Sequence, residues 1–491
     1  MTQVNRLDGG LIDRSTPLGF TFDGRRYGGF AGDTLASALV ANGVRLVGRS
    51  FKYHRPRGII SAGSEEPNGL VELRTGARRE PNSRVTMTEL HDGLVAASQN
   101  RFPSLGFDLM AVNDRLSNFL GAGFYYKTFM WPKAFWERVY EPIIRRAAGL
   151  GALSGEDDPD VYDRGFRHCD LLVIGAGPAG LSAALTAGRA GAEVILVDED
   201  FRAGGRLLQE SFGVGGVSGA DWAATVVAEL QSLPNVRLMP RSTAIGVFDH
   251  GIHAVLERTG DHIAAPDAGK PRQILWRVYA RRSLLCAGAT ERLISFADND
   301  RPGIMQAGAV RGYVNRFAAT PAEHVAVFTN NDDGHRTATD LAAAGVDVAA
   351  IIDSRPDAPK SEVAEVLAGA VVTGTGGRLG IGHVDIRLAG GGRKHVQCGA
   401  LAVSGGWNPN VHLTCHHRGR PTWQDDIAAF VPGEGVPPGM AVAGAARGVF
   451  STAGTIGDGQ AQAIAQLAEI GIAAAADTLP EAEDAPVRVT P

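Results

Sequence analysis

At 491 residues the chain is long enough for about three domains and a large buried core. Its 48 basic side chains nearly balance 53 acidic ones, which removes the electrostatic case for nucleic acid or an anionic membrane as partner. Four scattered cysteines, Cys169, Cys286, Cys398 and Cys415, form neither a disulfide framework nor a CxxC-type zinc site, so no metal is assigned. A reducing, cytoplasmic setting is expected, since the opening MTQVNRLDGG lacks a signal peptide's basic start and apolar run.

Residues 1–110 read as a small mixed α+β domain. Phe20-Thr21-Phe22 precedes an Asp23-Gly24 turn, a helix is expected from Thr34 to Asn42 closed by Gly43, and Leu70 to Leu73 alternates as a strand. The stretch PRGIISAGSEEPNGLVEL has the layout of a plant-type ferredoxin cluster loop in which no cysteine remains. Ser61, Glu66 and Gly69 stand at the ligand spacings, with Thr86 near a fourth, and oxygen ligands and a glycine do not replace thiolates. A ferredoxin-like fold without its cluster is expected. His54, Arg55 and Arg57 fit either an anion site or a charged turn beside prolines. Residues 111–168 combine an aromatic packing segment (119–148) with a linker rich in Gly, Asp and Pro (149–168).

The strongest pattern follows. LLVIGAGPAGLSAALTAGRAGAEVILVDED reads as strand, glycine turn, helix, strand. In this pattern Gly175 allows the tight turn, Gly177 lets the backbone approach a pyrophosphate, and Gly180 lets helix pack on strand. Pro178 and Ala179 open the helix whose N-terminus faces the phosphates. Asp198 closes the second strand, where a carboxylate accepts ribose hydroxyls and disfavours NADP. Just beyond, Gly205 and Arg206 follow, and Arg206 either reaches the pyrophosphate or lies on a solvated turn. Residues 169–322 and 395–478 are expected to form this dinucleotide-binding Rossmann domain.

A second βαβ unit, in residues 323–394, starts at the strand His324 to Thr329. It carries Asn330-Asn331-Asp332-Asp333-Gly334 where the glycines would stand, so it reads as a degenerate Rossmann domain. The fold class expected is therefore α/β: a disulfide-reductase-like pair of Rossmann domains preceded by the ferredoxin-like domain. The small residues around Gly288, in CAGATERLISFADNDRPGIM, suit close passage of the chain past a cofactor. Near the C-terminus, where FAD enzymes of this plan carry Gly-Asp, the chain has Gly444-Ala445. Loss of that carboxylate argues for NAD over FAD. Residues 479–491 are acidic, contain proline, and read as a disordered tail or linker.

Together GRSFKYHRPRGIISAGSEEPN, YYKTFMWP, the GAGPAG unit with VDED, CAGATERLISFADNDRPGIM and LAVSGGWNPNVHL resemble the α subunit of bacterial heterotetrameric sarcosine oxidase. The resemblance implies an NAD-binding subunit, with FAD on a separate β subunit, FMN at the interface between the two, and smaller γ- and δ-type partners. Sarcosine is then demethylated oxidatively to glycine and the electrons pass to oxygen. It places NAD contacts on Ala179, Asp198, Glu199, Asp200, Arg206, Ile245, Ala445, Phe450 and Thr452. Family members continue into an aminomethyltransferase-like domain that binds folate, whereas this sequence stops at Pro491, so no folate chemistry is assigned to it. Two alternatives stand beside this reading: an FAD-binding subunit of an opine or hydroxyproline dehydrogenase, and a non-catalytic assembly scaffold. No residue is assigned as catalytic.

Overall fold

The computed structural model describes residues 3–121, 123, 131–147, 149, 151–267 and 269–484. It divides into two compact units. One comprises Met1–Pro159, Ile294–Phe328 and Thr337–Val403, and the other Asp160–Leu293, Thr329–Arg336 and Ser404–Pro491.

The first unit opens with a five-stranded sheet. Asp13–Phe22 lies between Arg25–Ala31, antiparallel to it, and Leu94–Ser98, parallel to it; Leu70–Leu73 and Glu80–Arg84 complete the sheet. Asp23 and Gly24 both take positive φ, as a two-residue hairpin turn requires. The helix Leu35–Ala41 is buried along its whole length, and Thr34 and Ser37 exchange side-chain caps at its start. This is the α+β, ferredoxin-like domain expected from the sequence.

A second five-stranded sheet in the same unit runs in the order Ile304–Gln306, Ala400–Ser404, His324–Thr329, Asp347–Asp353, Val366–Ala368. The expected boundaries of this domain, 323–394, are therefore too narrow. Residues 400–404 pair in this sheet, although they were placed in the first Rossmann domain, because their apolar run is buried on both faces, as an inner strand of a parallel sheet requires. The helix of this domain begins at Asp332, where the Asn331 side chain accepts the Asp333 N–H at 3.0 Å.

The second unit is built on a seven-stranded sheet. Val236–Met239, Val194–Val197, Val161–Ile174 and Pro271–Leu285 run parallel, and Met440–Val442 joins Pro271–Leu285. Residues 161–168, read as linker, form the first half of a 14-residue strand. They looked irregular because most of their side chains face solvent. The helices Pro178–Arg189 and Thr452–Ala468 pack so closely that a Cβ on Gly459 would lie 2.2 Å from the Ala179 carbonyl oxygen.

Two further expectations change. Phe119 (81% exposed) and Trp131 (84% exposed) turn to solvent, as does Ile143, so these parts of the 119–148 segment do not pack into a core; residues 124–130 of it lie outside the described ones. The described part of the tail, residues 479–484, finds backbone partners. Glu481 O accepts the Gly215 N–H at 2.7 Å, and Ala482 bridges to Val214. Residues 485–491 lie outside the described ones.

Candidate functional site

The strand Val161–Ile174 delivers the chain into the glycine turn at its C-terminal end, and each glycine answers to a different neighbour. Gly175 has φ 103°, and a Cβ on it would lie 2.4 Å from the Cys286 carbonyl oxygen. A Cβ on Gly180 would lie 1.8 Å from the Gly175 carbonyl oxygen. Gly177 is different: a Cβ there would meet nothing within 4 Å. Two glycines thus serve packing, and the third leaves open space at the start of the helix Pro178–Arg189, the position where a helix N-terminus receives phosphate. Gly288, with φ 69°, likewise faces open space, two residues after Cys286.

Asp198 ties this turn together. Its carboxylate accepts the Ala176 N–H at 2.5 Å and the Asp200 N–H at 2.8 Å. Burial, and then the neighbouring Asp200, push its pKa up to about 7, against the pull of those two N–H donors. Asp200 Oδ1 in turn accepts the Arg202 N–H, and Glu199 offers its carbonyl to Arg258. Gly205 sits against the turn, since a Cβ on it would lie 2.9 Å from Gly177 Cα, and the Gly204 N–H bonds to Ala176 O.

Arg206 is held by the protein itself. Its guanidinium bonds to Asp333 at 2.8 Å and to Glu210, and lies 4.2 Å from the centre of the Trp407 ring. Burial works against its charge, but Asp333 and Glu210 outweigh that cost and raise its pKa. Asp333, also bonded by Trp407 Nε1 at 2.6 Å, is buried. The aspartate that stands in place of the glycines of the second βαβ motif therefore anchors the arginine that follows the first, and both belong to the same compact unit. Sequence reading singled out both residues without seeing that they pair, and a separation of 127 positions leaves no local signal.

The C-terminal contacts converge in part. A Cβ on Gly444 would lie 2.8 Å from the Ala179 Cβ, which places Gly444-Ala445 beside the turn. Asp458 accepts the Gly444 N–H at 2.8 Å and pairs with Arg447, so the nearby carboxylate is engaged by protein groups. Thr452 is buried and gives its N–H to Asp484; Phe450 is half-buried. Ile245 is carried near Asp198 by the strand Ser242–Phe248, whose Ser242 N–H bonds to Asp198 O, and its side chain is exposed.

The ferredoxin-like loop does not fit an iron–sulfur cluster. The Glu66 carboxylate fills it: Oε2 accepts the N–H groups of Ile60 and Ser61, and Oε1 those of Asn68 and Gly69, all at 2.8–2.9 Å. Glu66 and Ser61 are buried, and Thr86 spends its hydroxyl on Gly63 O. Gly69 has no room for a ligand side chain, because a Cβ there would lie 2.5 Å from Val85. The HRPRG side chains are matched by acids: His54 bonds to Asp108 at 2.7 Å, Arg55 to Asp298, and Arg57 to Asp300. Burial raises the thiols of Cys169 and Cys398 to about 12, and none of the four cysteines forms a disulfide.

A cleft lined by His168, Tyr279, Arg281 and His417 lies beside the middle of the strand Val161–Ile174. His168 and Gly175 are seven residues apart, about 23 Å along a strand. Sheets of this class bind ligands at the carboxyl ends of their strands, which favours the glycine turn.

Two family models match: a 2Fe-2S iron-sulfur cluster binding domain over residues 15–101, and an FAD dependent oxidoreductase over residues 170–230. The sarcosine oxidase subunit alpha of Rhizobium meliloti (strain 1021) is 52% identical over 94% of this chain and 47% of its own length. That of Corynebacterium sp. (strain U-96) is 36% identical over 92% of this chain and 44% of its own. The chain thus spans about half the length of the curated relatives it matches. Among solved structures, L-proline dehydrogenase from P. horikoshii superposes with a TM-score of 0.66 at 18% identity, over 97% of this chain and 77% of that one, which shows a shared fold. Among the described residues no helix is long and apolar enough to cross a membrane.

Proposed function

The chain is kin to sarcosine oxidase alpha subunits over nearly its whole length, and on that premise we propose that it is the NAD-binding part of a multi-subunit sarcosine oxidase. The observation that carries this reading is the open side of Gly177, at the start of a buried helix and beside Asp198. In it, Gly177 and the helix start at Pro178 and Ala179 receive the pyrophosphate, Gly175 and Gly180 shape the turn behind it, and Asp198 offers its remaining lone pairs to the adenosine ribose. Gly205, Gly288, Ile245, Ala445, Phe450 and Thr452 border the ligand, and Glu199 and Asp200 hold the loop below it.

Gly444-Ala445 supplies no carboxylate at the ribityl position, which supports NAD over FAD. Arg206 acts as an anchor for the loop, since Asp333 and Glu210 already hold its guanidinium. Flavins on or shared with a β-type partner, FAD and FMN, would supply the two-electron oxidation of the N-methyl group of sarcosine, with electrons passing to oxygen. This chain's residues bind and orient the nicotinamide dinucleotide and provide a docking body for the β-, γ- and δ-type partners.

The test is the cofactor that travels with the purified chain. Released by heat and identified by mass, it should be NAD, in one-to-one amount and without flavin's visible absorbance. Stoichiometric FAD in its place would overturn the NAD reading and place the chain with FAD-binding amine dehydrogenase subunits.

A further inference from the structure

We propose that the solvent face of the sheet formed by Val371–Gly376, His383–Arg387 and Arg393–Gln397 binds a divalent transition-metal ion through His383, Asp385 and His395. This site lies in the unit that lacks the glycine turn and is independent of the dinucleotide reading.

The register brings the three donors together. Asp385 and His395 are directly opposed across the antiparallel pair, and His383 precedes Asp385 by two residues, so all three share one face. The alternate residues Val384, Ile386 and Val396 are buried, which fixes that face as the outer one. One donor atom from each residue lies within 4.8 Å of the others. The imidazole rings of His383 and His395 stand 3.9 Å apart, and His395 Nδ1 lies 2.8 Å from Asp385 Oδ1.

The neighbouring strand makes room for this arrangement. Gly376 pairs with His383, and a Cβ on it would fall 2.1 Å from His383 Cε1, so the ring lies over a position that only glycine leaves clear. Gly374 likewise pairs with Asp385.

Two imidazoles and one carboxylate form a set suited to zinc and its d-block neighbours rather than to calcium or magnesium, which prefer oxygen. Arg387 and Arg393 form the next pair on the same face, which further disfavours a hard cation held by charge alone. Tetrahedral bonds of about 2.0–2.1 Å separate ligand atoms by roughly 3.4 Å. Side-chain rotation of exposed or half-exposed groups supplies the remaining closure. With three protein donors, the fourth position stays available to water or an external ligand.

The test uses the full, tag-free chain after chelator treatment, titrated with Zn²⁺ by calorimetry and with Co²⁺ by its visible ligand-field bands. A single saturable site is expected, with four-coordinate cobalt absorbance. His383→Ala and His395→Ala should each weaken it by about tenfold or more, at least the size that even supporting groups around a metal contribute. Their exposed or half-exposed positions should leave the melting temperature of the metal-free chain unchanged, and Gly376→Ala should weaken binding by displacing the His383 ring. Absence of one-to-one binding, or binding of equal affinity in the His383→Ala/His395→Ala double variant, would overturn the proposal.

Discussion

Replacing Glu66 is the most direct probe of how a ferredoxin-like loop stands without a cluster. Its buried carboxylate satisfies four backbone N–H groups of the loop. Each such donor left unpaired costs about 1–3 kcal/mol, which bounds Glu66→Ala at roughly 4–12 kcal/mol. Water entering the vacated space recovers part of this, so the expected loss is about 3–5 kcal/mol, near the top of what single substitutions do. Glu66→Gln is the sharper variant. Its amide oxygen can serve one pair of donors, but its NH₂ then faces the other pair, for a loss of about 2–4 kcal/mol despite equal volume. Amide exchange at Ile60, Ser61, Asn68 and Gly69 reads this locally, and for the alanine variant about 3–5 kcal/mol corresponds to an acceleration of roughly 10²-fold or more. If both variants stay within about 0.5 kcal/mol of the parent, the carboxylate does not hold the loop and the reasoning fails.

Three other outcomes are expected. Gly177→Leu should abolish dinucleotide retention while the melting temperature of the ligand-free chain stays put, because its Cβ meets nothing, whereas Gly180→Ala should cost about 1–3 kcal/mol by forcing a methyl group against Gly175 O. A Gly177→Leu chain that still purifies with its dinucleotide would contradict the site. Asp198 has a folded pKa of about 7 against an ordinary 3.8, so its contribution is full below the lower value and is lost as pH rises toward the higher. Thermal melts from pH 4.5 to 8 should therefore show the parent losing ground to Asp198→Asn up to about pH 7, with a flat difference counting against the assignment. Arg206→Met should destabilise the second unit by about 2 kcal/mol, because buried Asp333 loses a charge-assisted hydrogen bond and keeps Trp407 and the more distant Arg336 at 3.6 Å; urea unfolding within about 0.5 kcal/mol of the parent would show that the pair carries little.

The parts legible in the sequence were those whose signals are local. Thr34 and Asn42 delimit the helix Leu35–Ala41 because capping is written within a few residues of each end. The strand and helix around Gly175 were legible because periodicity and turn chemistry coincide there. Partners remote in sequence were not. The strand Ala400–Ser404 reads the same whichever sheet receives it, and only the observed pairing assigns it. Asp333 and Arg206 meet across 127 positions. His395 reaches Asp385 only once the hairpin register is known. The tail misled for a related reason: its composition favours disorder, yet its backbone pairs with Val214 and Gly215.

The unequal burdens on the three glycines bear on how such a motif ages. Gly175 and Gly180 are pinned by carbonyl oxygens of the chain itself, and would be retained by any descendant that keeps the fold, with or without a ligand. Gly177 has no such custodian. In a lineage that abandoned its dinucleotide, the outer glycines would persist as a fossil of the turn while position 177 drifted. On the proposed reading, the middle glycine is therefore the letter of the motif that answers to the occupant.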